Sequence, residues 1–391
     1  MTSAGVFTEV AAIDYPVVDA DAHVNEPPDT WQARVPAALR DRAPRVEHTD
    51  EGDVWLFGDG NRRRPLGLTA TAGRSYLQYQ PAGLSYDSIR PGSYEPKARL
   101  ADLDADGLWA QVLYPSVTLA GARAYGQDRE LQLACVRAYN DWIAEFCDGS
   151  DGRLIAQAVL PTTGVDDAVE EYERALALGH RGAIVSAFPN GSLDPAPDDD
   201  RFWDLAENAG FPVAVHIGSF LRWAPPSMND PASLAFLATA GASKAGAYTI
   251  PVVCDLVFSG IFERFTKLNV LLVEANIGWI PTVAEQLDDM FLRYRWFTGA
   301  AEQMTTMPSR VMHRNMWATF IVDTVGVEQR HRMNVDHLMW STDYPHTASD
   351  WPNSRISIER NFRGVDAGDV KKMLHTNAKE LYRLDLPDRL P

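Results

Sequence analysis

Three apolar runs of strand length in this chain stop on residues that coordinate metal ions, and no other feature restricts its possible folds as much. The first, residues 15–24, carries Asp21 and His23 at positions i and i+2. Side chains alternate between the faces of a strand, so this spacing aims a carboxylate and an imidazole into the same cavity. The second run, residues 211–217, reaches His216 and then Gly218, and the third, residues 337–342, reaches Asp343 and then Pro345 and His346. Short apolar runs that end on Gly or Pro are expected of parallel strands covered on both faces.

Similar runs recur along the chain. Strands are expected at 15–23, 108–114, 153–160, 182–187, 212–217, 269–274, 317–322 and 337–341. Amphipathic helices fall between several of them, one opening at Gly164 and running to Leu178, another from Pro281 to about Phe297. Eight alternating β and α units predict a (β/α)8 TIM barrel of the α/β class, in which the C-terminal strand ends and their loops build the active site. An open doubly wound sheet is the alternative, but no GxGxxG follows the first strand and no P-loop occurs.

In a barrel, Asp21, His23, His216 and Asp343 would meet at one end although they are far apart in sequence. Such a mixed oxygen and nitrogen set suits one divalent metal ion (zinc, manganese or iron) if one position stays open, and the ligand types do not choose among the three. Cys135, Cys147 and Cys254 form no CxxC pair, so a thiolate zinc site is not expected.

At 391 residues the chain is expected to form a single domain, with insertions at 45–95 and 219–262 after strands 1 and 5. The first insertion holds an alternating segment, Asp53 to Gly60, that predicts a β-hairpin. The second carries Trp223, Pro225, Pro226 and Met228, a mixture compatible with a substrate-covering loop. No run of 18 or more apolar residues occurs, and residues 1–9 lack a basic region followed by an apolar core, so a cytoplasmic location is expected. The formal net charge of −17 argues against nucleic acid or an anionic membrane as partner and leaves a small-molecule substrate.

The segments Val17–His23, Arg99–Gly107, Pro212–Gly218, Ser259–Phe265 and Trp340–His346 together resemble the amidohydrolase-related, metal-dependent group that includes aminocarboxymuconate semialdehyde decarboxylase and the aromatic acid decarboxylases. The resemblance implies a divalent metal on Asp21, His23, His216 and Asp343, and a homodimer. Many members carry His-x-His on the first strand, where this chain has Asp21. The added carboxylate makes the metal a weaker Lewis acid and shifts preference toward harder ions such as manganese. Many relatives also place a catalytic histidine on the sixth strand, where this chain has Glu274.

The resemblance implies nonoxidative decarboxylation of a small carboxylated molecule, with Asp343 relaying a proton and Glu274 acting as base or orienting water. Metal-dependent hydrolysis of an amide, lactone or related carbonyl bond is the alternative, and a catalytically inactive binding barrel the third reading. His346 is expected to contact substrate or a supporting carboxylate, and Glu26 to bond nearby backbone. Arg99 and Asp102 have the spacing of a helical ion pair. His180, His313, His331, His337 and His375 read as surface or core residues. Trp31, Tyr114, Trp223 and Trp279 hint at a flat organic substrate, although aromatics are more often core.

Overall fold

The computed structural model of the chain describes residues 13–220 and 245–390, apart from residues 51, 59, 61 and 120. Eight parallel strand positions follow one another in chain order. They are β1 (Val18–Val24), the second strand β5 (Ala110–Pro115), the third in two pieces, β6 (Leu154–Ala156) and β7 (Ala158–Val159), then β8 (Ala183–Ile184), β9 (Val213–His216), β10 (Val270–Val273), β11 (Met316–Phe320) and β12 (Leu338–Trp340). The pieces β2 (Arg45–Thr49), β3 (Gly52–Phe57) and β4 (Arg62–Pro65) form a separate antiparallel sheet within the first expected insertion.

The third strand changes partner at Gln157, so that β6 pairs with β5 and β7 with β8. The remaining seam is closed just beyond β12. Asp343 N–H donates to Asp21 O at 2.9 Å and His23 N–H donates to Tyr344 O at 2.5 Å. Every residue of β1, β5, β9, β10, β11 and β12 is buried, as expected of strands with side chains inside the barrel on one face and helices on the other.

The expected helices stand at Val165–Ala177 and Ile280–Thr298, within a residue or two of their sequence signals. Trp31 and Tyr114 are fully buried, Trp31 packing on Trp55 and Tyr125, so both serve as core. Trp279 is half-buried and bonds Ala275 O. The hairpin expected at 53–60 is instead the middle of three strands. Its outer strands carry Arg45, Arg62, Arg63 and Arg64, so they lack the apolar alternation that signals a strand. Residues 221–244, with Trp223, Pro225, Pro226 and Met228, lie outside the described residues. Among the described residues, no helix is long and apolar enough to cross a membrane.

Candidate active site

The ends of β1, β9, β10 and the turn after β12 converge on one buried cluster. Asp21 and His23 come from β1, where a register shift between Asp19 and Ala22 interrupts the simple alternation. Such a bulge adds a residue to one strand and re-aims its side chains. His23 Nε2 lies 3.1 Å from His216 Nε2, 3.6 Å from Asp21 Oδ1 and 3.3 Å from Asp343 Oδ1. His216 Nε2 lies 3.7 Å from Asp21 Oδ1 and 3.9 Å from Glu274 Oε2. The four residues anticipated as metal ligands are therefore together.

Glu274 and Asp343 both have positive φ, 57° and 58°. A left-handed residue ends a ladder and turns its side chain aside. The conformation is uncommon for a non-glycine, and Asp tolerates it better than Glu because its short side chain bonds locally. Thr319 Oγ1 accepts the Glu274 N–H at 2.9 Å, which holds this turn. Glu274 is the open member of the cluster, 22 % exposed, whereas His23, His216 and Asp343 are at most 3 % exposed.

The electrostatics call for a cation. Burial, reinforced by Asp343 and Asp21 against the pull of His216, pushes the Glu274 carboxyl well above the ordinary range. Burial and the neighbouring Asp21 push Asp343 up in the same way. Burial disfavours the His216 cation, but Asp21 and Glu274 outweigh it and bring its pKa to about 9. His23, buried beside His346 and His216, is held well below its usual value.

The residues fit a divalent ion. Both Asp21 carboxylate oxygens and Asp343 Oδ1 are buried without a hydrogen-bond partner, a costly state unless a cation is there. Asp21, His23 and His216 each offer a ligand atom within 4.8 Å of the others, as do His23, Asp343 and His346. Ligand atoms about 2.1 Å from one tetrahedral ion stand roughly 3.4 Å apart, close to the separations seen here.

Supporting residues join the cluster. His346 stacks on His23 with ring centroids 3.9 Å apart, places Nδ1 3.1 Å from Asp343 Oδ1 and bonds Ser116 Oγ through Nε2 at 2.9 Å. The Pro115 carbonyl stands 3.0 Å from His23 Nδ1, leaving Nε2 for the centre of the cluster. Asp19 accepts from Thr342 N–H at 2.8 Å and Gln111 Nε2 at 2.9 Å, bracing β1 against the turn that carries Asp343. Ser116 and Asp19 were not anticipated. Asp19 stands two residues before Asp21, and Ser116 follows a strand end, so both positions carried the same signals as the residues that were.

Arg99 and Asp102 do not pair with each other. Arg99 is buried and donates to His23 O at 2.6 Å, to Gln111 Oε1 at 3.0 Å and to Gly92 O. Asp102 instead takes a two-point contact from Arg90, at 2.7 and 2.6 Å, and the Tyr344 hydroxyl. A buried guanidinium with three acceptors around it gains more from them than from a helical neighbour three residues away. Glu26 accepts the Val117 N–H at 3.0 Å, the backbone contact expected of it. Of the five unassigned histidines, His180 and His375 are buried on backbone carbonyls and His337 stacks on Trp317, while His313 and His331 are exposed.

A parallel barrel that gathers two imidazoles and three carboxylates at its C-terminal strand ends defines the class of barrel proteins with a metal-type centre. Within that class, the chain belongs to the amidohydrolase family, whose model matches residues 18–384. A gamma-resorcylate decarboxylase from Rhizobium sp. (strain MTP-10005) is 25 % identical over 303 residues, 73 % of this chain and 86 % of the relative. A 2-amino-3-carboxymuconate-6-semialdehyde decarboxylase from Dictyostelium discoideum is 23 % identical over 318 residues, 78 % and 80 % of the two chains. The crystal structure of an amidohydrolase from Mycobacterium avium subsp. paratuberculosis K-10 superposes with a TM-score of 0.73 at 20 % identity, over 95 % of this chain and all of the other. A dihydroxybenzoic acid decarboxylase from Polaromonas sp. JS666, solved with manganese and 2-nitroresorcinol, superposes at 0.61 with 18 % identity, over 95 % and 98 % of the chains. These superpositions establish the barrel fold.

Proposed function

We propose that this chain is a metal-dependent carboxy-lyase that removes carbon dioxide nonoxidatively from a small aromatic carboxylic acid. The observation that carries the metal dependence is Asp21, a buried carboxylate with neither oxygen hydrogen-bonded, set against His23, His216 and Asp343. The decarboxylases among its relatives, matched along most of their length, support the reaction class.

Asp21, His23, His216 and Asp343 would hold a divalent ion, which would supply positive charge for a substrate carboxylate and an adjacent oxygen. The chain's own residues handle the proton. Asp343 delivers it to the carbon bearing the carboxylate; the carbon–carboxylate bond then breaks, its electron pair stays with the ring carbon, and carbon dioxide leaves. A carboxylate and one proton thus become the arene and carbon dioxide, with no redox partner. His346, held by Ser116, keeps an imidazole nitrogen 3.1 Å from the Asp343 carboxyl. Glu274, on the open side, orients the substrate and exchanges protons with solvent.

Product analysis tests this reading. The manganese-loaded enzyme is given a panel of hydroxylated benzoates, including 2,6-dihydroxybenzoate, in deuterated water. Release of carbon dioxide with deuterium on the former carboxyl carbon is expected. Heavy oxygen from labelled water appearing in an acid product of an ester, lactone or amide, without carbon dioxide from any benzoate, would replace decarboxylation by hydrolysis.

A further inference from the structure

A second cavity, of about 310 Å³, lies on the outer face of the barrel between β10–β12 and the helices Ile280–Thr298 and Pro308–Asn315. Its floor is one row across three strands, for Leu272 is in register with Ala318, and Ala318 with Leu338. The small Ala318 between two leucines leaves the hollow, and Ala284 on the covering helix leaves it unfilled from above. None of the cluster around Asp21 lines it.

The walls are mostly apolar and are held in place. Trp317 is fixed by its Nε1 bond to Asn269 Oδ1 at 3.1 Å and by stacking on His337 at 3.9 Å and 13°. Met312, Met316 and Met333 add polarizable thioethers, which favour aromatic guests, and Ser309, His313 and Asn334 contribute polar atoms to the lining. The mouth is cationic. Arg310 and Arg332 line it and are exposed, and the guanidinium of neither forms an ion pair or hydrogen bond among the described residues. Two uncommitted guanidiniums at one opening are notable in a chain with 53 acidic and 36 basic side chains. A volume at the lower end of the range for ligand pockets, about 300 to 1,000 Å³, suits a guest of one or two rings.

We infer that this cavity is a second binding site, for a small aromatic monocarboxylate whose ring lies on the Leu272–Ala318–Leu338 floor and whose carboxylate meets Arg310 and Arg332. The inference stands apart from the catalytic reading, since it uses no residue of that cluster.

The test is calorimetric titration of the manganese-loaded protein with 1-naphthoate and with uncharged 1-naphthamide, comparing the natural chain, Ala284→Leu and the double variant Arg310→Glu, Arg332→Glu. Ala284→Leu fills the hollow from a helical position, and the arginine pair is on the surface, so the second variant carries the test should the first fold poorly. Both variants are expected to lose one equivalent of naphthoate or to bind it about tenfold or more weakly, with turnover unchanged. The charge variant should leave naphthamide binding as it was. Unaltered naphthoate stoichiometry and affinity in both variants would overturn the site, placing the acid at the catalytic end alone. Equal binding of acid and amide, indifferent to the arginine pair, would overturn the ligand class.

Discussion

The backbone N–H of Asp343 donates to the carbonyl of Asp21 at 2.9 Å, so a residue near the start of the chain and one near its end are fixed as neighbours by the barrel's closing seam. The same seam is braced by Asp19 on Thr342 and continues into the pairing of His23 with Tyr344. The distance between the two carboxylates is thus set by backbone pairing, and their side chains need no contact with each other. Both retain buried oxygens without hydrogen bonds, which a shared cation would satisfy.

Removing one ligand should release the metal. His216→Ala is expected to lower bound metal after gel filtration by about tenfold or more, because even outer partners of such ligands cost that much. His180→Ala removes an equally buried imidazole that bonds only Asn140 O, and should keep its metal. Elemental analysis of the two proteins side by side checks this; equal retention would refute the ligand set.

Glu274→Gln should separate metal binding from chemistry. The substitution preserves volume and removes the carboxylate on the open side of the cluster, where Glu274 Oε2 stands 3.9 Å from His216 Nε2. Turnover is expected to fall by about 10²-fold or more while metal content is unchanged. Near-normal turnover would make Glu274 structural and leave proton handling to Asp343.

Glu26 should impose a pH dependence on stability. Its carboxyl is buried, bonded through Oε2 to Val117 N–H while Oε1 has no partner, and burial pushes its pKa from 4.5 up to about 8. Between those values the folded chain keeps a proton that the unfolded chain has released, so this group's contribution to stability declines as pH rises through the window. Glu26→Gln abolishes the titration. Urea midpoints measured at pH 5.5 and pH 8 should therefore shift in favour of the variant at the higher pH; a shift in favour of the natural chain there would contradict the assignment.

Strand order and the residues at the strand ends were legible in the linear chain. Apolar runs ending on Asp21 and His23, His216, Glu274 and Asp343 are local signals, because burial on both faces selects the run and the strand's end exposes the ligand. Partner choice was not legible. Asp19 bracing Thr342, Arg99 holding the His23 carbonyl, Arg90 taking Asp102 from its helical neighbour, and His346 lying between Ser116 and Asp343 all join segments distant in sequence, with no periodicity to announce them. The bulge in β1 and the left-handed turns at Glu274 and Asp343 likewise arise where strands must close into a barrel. Local pattern selects elements through the period of their side chains, whereas closure and long-range hydrogen bonding select which of their polar atoms meet.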